Sequence, residues 1–126
     1  MNSKIKTLQD SLQHFHGTNQ FYKLSLMNTR YTDGIHFLAH KASCFWLITD
    51  ASVIAKSLMD KNYFITIDFK RLSEQEQLEK QCEAIINYSD GNGNIYETHR
   101  YNVTDFPLDE LRLFFVDNTL MLPSEY

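Results

Sequence analysis

The sequence is poor in the residues that several specialised classes of protein require. It has 4 glycines, 2 prolines and 2 cysteines in 126 residues. The few glycines form no glycine-rich loop between a strand and a helix, which argues against a P-loop nucleotide site. Cys44 and Cys82 stand 38 positions apart, without the density of a disulfide scaffold, so we expect reduced and buried thiols.

Long apolar or like-charged runs are also missing. The longest strongly apolar run, CFWLI, is far too short to cross a membrane, and the first residues lack the apolar stretch of a signal peptide. We therefore expect a cytoplasmic protein without a membrane partner. The 12 basic and 16 acidic residues are dispersed, so the chain lacks the basic surface with which proteins wrap nucleic acid.

The first half of the chain has helical periodicity. Hydrophobic residues make up 43% of the sequence, enough for a single compact domain spanning residues 1–126. Apolar residues spaced by three and four predict helices at about 3–15, 32–42 and 49–59. The run SCFWLI, between the second and third of these helices, is predicted to be a short buried strand.

The second half alternates with a period of two. The polar segment RLSEQEQLEKQ is predicted to be either a loop or a short exposed helix, because Ser73 and Glu76 have capping-box spacing. Asp117-Asn118 suits a two-residue hairpin turn. Strands are predicted at about 63–70, 82–89, 95–103, 111–116 and 119–122. The predicted fold is α+β, with two to three N-terminal helices on one face of a four- to five-stranded, mainly antiparallel meander.

The segment YSDGNGNIY has the alternating oxygen ligands with which an EF-hand calcium loop begins, at Asp90, Asn92 and Asn94. Counted from Asp90, however, the glycine position of that loop holds Ile95 and its bidentate carboxylate position holds Tyr101. Asp-Gly and Asn-Gly supply the positive φ angles that tight hairpins need. We therefore interpret the segment as a turn between two strands.

Asp33, His36 and His40 form the most catalytic-looking group in the sequence. Their spacing places all three on one face of the second predicted helix, as metal ligands on a helix require. Zinc-peptidase helices carry a glutamate beside the first histidine, and Phe37 occupies that position here. We therefore treat the three residues as weak candidates for a metal site, and we predict no catalytic residue and no cofactor.

Six blocks in fixed order give the chain a family resemblance: HFHGTNQFY, YTDGIHFLA, CFWLITD, DGNGN, TDFPLDE and MLPSEY. From about His14 to Tyr126 it resembles a family of small bacterial proteins, a domain of unknown function often met on plasmids, phages and integrated elements. The resemblance implies no established reaction. Its pattern includes Gly17-Thr18, Tyr31 to Gly34, Trp46-Leu47, Asp90 to Gly93 and Pro123 to Tyr126, but not His36, His40 or Cys44.

What the resemblance implies is an interaction module. Small proteins of mobile elements commonly bind a host component, so we expect a non-enzymatic inhibitor of a bacterial defence system, such as an anti-CRISPR protein. The expected partner is another protein, with a homodimer as the second expectation. The alternatives are a metal-binding or hydrolytic protein using Asp33, His36 and His40, and a weak nucleic-acid binder using sheet aromatics. Residues expected to bind the partner are Tyr96, Arg100, Tyr101, Glu125 and Tyr126.

Overall fold

A computed structural model describes residues 3–18, 20–24, 28–102 and 105–126, and within them it shows four α-helices and one seven-stranded sheet. The C-terminal residues Pro123–Glu125 form a 3-10 turn. No helix in these ranges is long and apolar enough to cross a membrane. The helices and strands are α1 (Ser3–Leu12), β1 (Tyr22–Leu24), β2 (Thr29–Tyr31), α2 (Asp33–Lys41), α3 (Phe45–Ser57), β3 (Phe64–Arg71), α4 (Glu74–Lys80), β4 (Ala84–Ser89), β5 (Ile95–Tyr101), β6 (Glu110–Val116) and β7 (Thr119–Met121).

The strands lie in the order β1-β2-β7-β6-β3-β4-β5. All neighbours are antiparallel except β2 and β7, which are parallel. The predicted α+β class and the mainly antiparallel sheet are therefore confirmed. The simple meander is not, because the chain leaves β5 at the edge of the sheet and returns to place β6 beside β3. The predicted end of β5 at Val103 lies outside the described residues.

The sheet has two strands more than the predicted maximum of five, and both extra strands come from the N-terminal half. β1 and β2 contain three residues each, too few to show a period of two in the sequence. β2 joins the sheet by pairing in parallel with β7, where Arg30 pairs with Thr119 and Tyr31 with Leu120. This contact joins segments of the chain that lie about 90 positions apart.

The predicted strand at SCFWLI was wrong, because its last four residues, Phe45 to Ile48, begin α3. Cys44 is the N-cap of that helix, and the helix runs through to Ser57. Its buried residues lie on more than one side: Leu47, Ile48, Ala51, Ser52 and Ala55. A helix buried around much of its circumference loses its amphipathic period, so a short apolar run cannot be told from a buried strand.

The core lies between the first three helices and one face of the sheet. Ile65, Ile67 and Phe69 of β3 point into it and are at most 3% exposed. From the helices it contains residues of α2 and α3, among them Ile35, Leu38, Leu47 and Ile48, in one continuous cluster. The alternation along β3 that predicted a strand thus also identifies its buried side.

α4 begins with the predicted capping box. The Ser73 hydroxyl accepts a hydrogen bond from the Glu76 backbone N–H at 3.2 Å, and Glu76 Oε1 accepts one from the Ser73 backbone N–H at 3.1 Å. That backbone hydrogen bond is the main reason why the pKa of Glu76 lies below its usual value. Of the two alternatives for this segment, the short exposed helix is confirmed.

The carboxylate of Glu125 closes the N-terminal end of α2. Its Oε1 accepts hydrogen bonds from the Thr32 hydroxyl at 2.5 Å and the Leu122 N–H at 3.0 Å, and its Oε2 accepts one from the Gly34 N–H at 3.1 Å. A negative charge at a helix N-terminus is favoured by the unpaired N–H groups and by the helix dipole. We call these four residues, Thr32, Gly34, Leu122 and Glu125, the C-terminal clasp.

The C-terminal clasp requires glycine at position 34 because a side chain would not fit there, and not because of its backbone φ angle. A Cβ atom at this position would lie 2.6 Å from Glu125 Oε1 and 2.6 Å from Leu122 Cδ1. Thr18 completes the arrangement, since its hydroxyl accepts the Asp33 N–H at 3.0 Å. Three of the blocks that define the family resemblance, which contain Thr18, Gly34 and Glu125, therefore meet at one end of α2.

Replacing Glu125 with Ala should lower the free energy of unfolding by about 2 kcal/mol, because the buried Thr32 hydroxyl and Gly34 N–H lose their acceptor. Gly34→Ala should also destabilise the protein. Its cost should be smaller in the Glu125→Ala background, where one of the clashing groups is gone. Urea unfolding of the two single variants and the double variant measures this coupling. Strictly additive effects would contradict the proposed contact.

Candidate functional site

The face of the sheet opposite to the core, which we call the outer face, is the clearest candidate site. On β3 and β6, every second residue points away from the buried side chains. The register of these two strands places the outer residues in pairs: Phe64 with Val116, Thr66 with Phe114, Asp68 with Arg112 and Lys70 with Glu110. One end of this face is therefore apolar and the other is charged.

Three rings cluster at the apolar end. The ring centroids of Phe64 and Phe114 lie 4.8 Å apart, and Tyr126 stands edge-on to them at 4.9 and 6.0 Å. Val116 and Met121, the register partners of Phe64 and Phe114, extend the apolar surface. We call these five residues the aromatic patch. Tyr126 is 69% exposed, so the patch presents a ring to solvent instead of hiding it.

Charged residues border the patch. Arg112 donates from Nε to Asp68 Oδ1 at 2.7 Å and from Nη2 to Asp68 Oδ2 at 3.2 Å, a two-point ion pair across β3 and β6. The hydrogen bonds to Asp68, and then its negative charge, raise the pKa of Arg112 above its ordinary value. The Lys70 Nζ atom lies 3.8 Å from Oε2 of Glu76, a residue of α4. An apolar centre with a charged border is the usual composition of a protein-binding surface.

Of the five residues predicted to bind a partner, Arg100 and Tyr126 are exposed and reach the outer face. Arg100 lies on β5 opposite Ile85, and Tyr126 belongs to the aromatic patch. Glu125 is engaged in the C-terminal clasp, with its carboxylate turned toward α2. Tyr96 is half-buried and packs against the core.

Tyr101 links β5 to α3. Its hydroxyl donates to Asp50 Oδ2 at 3.2 Å, and its ring lies 5.4 Å from that of Trp46. Burial, followed by the charge of Asp50, raises the pKa of Tyr101. The side chain is therefore occupied inside the protein, on the face of the sheet that the helices cover.

His36 and His40 lie within a row of aromatic rings. The His36 ring is stacked on Tyr22 with centroids 4.0 Å apart and planes 3° from parallel. His40 lies 4.4 Å from His36 and 5.2 Å from Phe45, edge-on in both cases. His36 Nδ1 is buried and has no hydrogen-bond partner among the described residues. In the part of the chain that the structure describes, no group of three or more His, Cys, Asp or Glu side chains is placed to hold a metal ion.

Both cysteines are free and buried, as predicted. The Cys44 Sγ lies 3.7 Å from the Leu38 carbonyl oxygen, and burial raises the pKa of its thiol to about 12. Since the thiolate is the reactive form, this shift disfavours reaction of Cys44 at neutral pH. The thiol therefore belongs to the core, although its residue opens a helix and not the predicted strand.

Asp90 organises the turn at YSDGNGNIY. Its Oδ1 accepts the N–H groups of Asn92 at 2.8 Å and Asn94 at 3.2 Å, and its Oδ2 accepts the Asn94 side-chain amide at 2.7 Å. The Asn94 side chain is the main cause of the lowered pKa of Asp90. Gly91 and Gly93 take positive φ angles of 81° and 96°. The segment joins β4 to β5, so the prediction of a hairpin is confirmed.

An α+β fold in which Glu125 caps a helix and the sheet carries a partly exposed aromatic patch is thus the class that the fold defines. The chain belongs to the family described as Family of unknown function (DUF6876), whose model matches residues 6–126. This supports the resemblance to a domain of unknown function that the sequence blocks indicate. No curated protein and no solved structure matches the chain.

Adding millimolar calcium should leave the melting temperature unchanged. Both Asp90 oxygens already accept hydrogen bonds within the turn, and calcium requires about six to eight oxygen ligands. Differential scanning fluorimetry with calcium, with magnesium as the control, measures the effect. A saturable rise with calcium that is lost in Asp90→Ala would show that the turn is a metal site.

Proposed function

We propose that this protein is a non-enzymatic protein-interaction module that binds its partner through the aromatic patch. The observation that carries the proposal is the cluster of Phe64, Phe114 and Tyr126 on the outer face, with Tyr126 largely exposed. Large aromatic side chains dominate the binding energy of protein interfaces because they bury much area at little entropic cost. The adjacent Asp68–Arg112 pair gives such an interface a polar border.

The geometry of the patch suits a protein partner better than a nucleic acid. A basic groove that follows a phosphate backbone needs uncompensated cations. On the outer face, Arg112 is paired with Asp68, and Lys70 lies beside Glu76 and opposite Glu110. A further exposed cation of this face, Arg100, lies on the edge strand. The formal net charge of −4 also disfavours a polyanion.

The more specific proposal is an inhibitor of a bacterial defence system, for example an anti-CRISPR protein. Its support is the resemblance to bacterial proteins of mobile elements, where small cytoplasmic binders of host proteins are common. An inhibitor of this kind acts by occupying its target and needs no catalytic group of its own. The buried, high-pKa thiol of Cys44 and the ring-packed imidazoles of His36 and His40 fit a protein whose reactive side chains serve packing.

Affinity capture from the native host tests the proposal. Wild-type protein should retain a partner in stoichiometric amount, and Tyr126→Ala should weaken the purified complex by about tenfold or more, as expected for an interface anchor. Leu78→Ala is the matched control, because Leu78 is 82% exposed but lies on α4, away from the patch. Titration calorimetry with the captured partner measures both variants.

An equal loss in Tyr126→Ala and Leu78→Ala would contradict binding through the patch. Since Tyr126 adjoins the C-terminal clasp, the melting temperature of Tyr126→Ala must be shown to match that of the wild type. If Tyr126→Ala bound the partner as tightly as the wild type, the interface would have to lie on another part of the surface. Saturable zinc binding that is lost in a His36→Ala, His40→Ala double variant would instead favour the metal-binding alternative.

A further inference from the structure

β5 is an unpaired edge of the sheet. It is the last strand in the order, so among the described residues no strand pairs with its outer side. Natural edge strands are commonly protected by lysine, proline or very short length. The seven residues of β5, IYETHRY, contain neither lysine nor proline. Its protective features are the charged side chains of Glu97 and Arg100 and the bulge at the Tyr96 end, where Tyr88 pairs with Glu97 but Ser89 pairs with Ile95.

The pairing of β5 with β4 fixes which backbone groups face outward. The Tyr101 carbonyl oxygen accepts a hydrogen bond from the Glu83 N–H at 2.9 Å, so the Tyr101 carbonyl group points toward the β4 side. In an antiparallel strand, successive residues direct their N–H and C=O groups to opposite sides. Glu97, His99 and Tyr101 therefore bond to β4, while the backbone N–H and C=O groups of Thr98 and Arg100 point away from β4, where no strand of the described residues pairs with them.

The side chains of β5 are complementary to β5 itself when the strand is reversed about Thr98. In that register Glu97 lies opposite His99 of a second copy, and Thr98 lies opposite Thr98. A carboxylate opposite an imidazole can accept its N–H, and Thr–Thr pairs are favourable across strands. An axis at Arg100 would oppose two arginines, and an axis at His99 would oppose two imidazoles and leave Glu97 opposite Tyr101, so of these three only the axis at Thr98 places each carboxylate opposite an imidazole.

We propose that the β5 edge pairs antiparallel with β5 of a second copy of this chain, about a twofold axis at Thr98. The outward N–H and C=O groups of Thr98 then form two hydrogen bonds with those of Thr98 in the second copy. Glu97 already lies 2.8 Å from His99 of its own strand, and a carboxylate accepts from more than one donor, so the imidazole of the second copy can be added. The outer face remains free, so this dimer is independent of the proposed function.

Proline at position 98 tests the pairing with little effect on the fold. The Thr98 N–H faces away from β4, so Thr98→Pro removes a donor that only the second copy uses, and proline is tolerated at such edge positions. Thr98→Val is the matched control, because it also loses the hydroxyl that donates to Asn87 Oδ1 at 2.6 Å but keeps the backbone N–H. Wild type and Thr98→Val should form a concentration-dependent dimer in sedimentation velocity, and Thr98→Pro should remain monomeric.

Charge exchange tests the register. Glu97→Lys alone places a lysine opposite His99, and His99→Glu alone places two glutamates opposite each other, so each variant should dimerise more weakly than the wild type. In a mixture of the two variants, the lysine introduced into one chain lies opposite the glutamate introduced into the other, and the unchanged Glu97 lies opposite the unchanged His99. A heterodimer should therefore form. The mixture does not repair the contact between positions 97 and 99 within either chain, so recovery reports contact between copies.

Three results would overturn the proposal. The first is a wild-type protein that stays monomeric over a roughly hundredfold range of protein concentration. The upper end of that range must exceed the high dissociation constant expected of a small interface. The second is a Thr98→Pro variant that is folded by circular dichroism and dimerises like the wild type. The third is a mixture of the two charge variants that forms no more dimer than either variant alone.

Discussion

One carboxylate, that of Glu125, connects the C-terminal turn to the N-terminal end of α2. Glu125 bonds to the Thr32 hydroxyl and the Gly34 N–H, groups that lie more than 90 positions earlier in the chain. The 3-10 turn that carries it leaves the sheet directly after β7, which is itself paired with β2. The clasp therefore joins the turn that follows β7 to the start of α2, and a buried helix end gains the acceptor it needs.

The same contact decides where Tyr126 lies. With Glu125 turned toward α2, the next residue is placed against Phe64 and Phe114 on the outer face. The C-terminal clasp and the aromatic patch thus share five consecutive residues, Leu122 to Tyr126. Since the Tyr126 ring is fixed against two others, a partner would lose little side-chain entropy by using it as an anchor.

The candidate surface could be predicted from the sequence only in part. Alternation along β3 separates Ile65 and Ile67 from Phe64 and Thr66, so a mixed outer face was foreseeable. That Phe114 is close to Phe64 follows from the pairing of β3 with β6, strands separated in sequence by two other strands and a helix. Tyr101, expected to bind a partner, illustrates the converse difficulty, because its hydroxyl donates to Asp50 of α3, a residue 51 positions earlier in the chain.

By itself, the sequence determined the features that depend on neighbours a few residues apart. These are the Ser73–Glu76 capping box, the Asp90-centred turn, and the Asp117-Asn118 hairpin, whose two residues both have positive φ angles. Each is local because its donors and acceptors lie within one turn of chain. The tertiary structure decided which strand lies beside β3, that β2 pairs with β7, and that Glu125 meets Gly34. These contacts join residues far apart in sequence, and only the packing of the whole core selects one register among many.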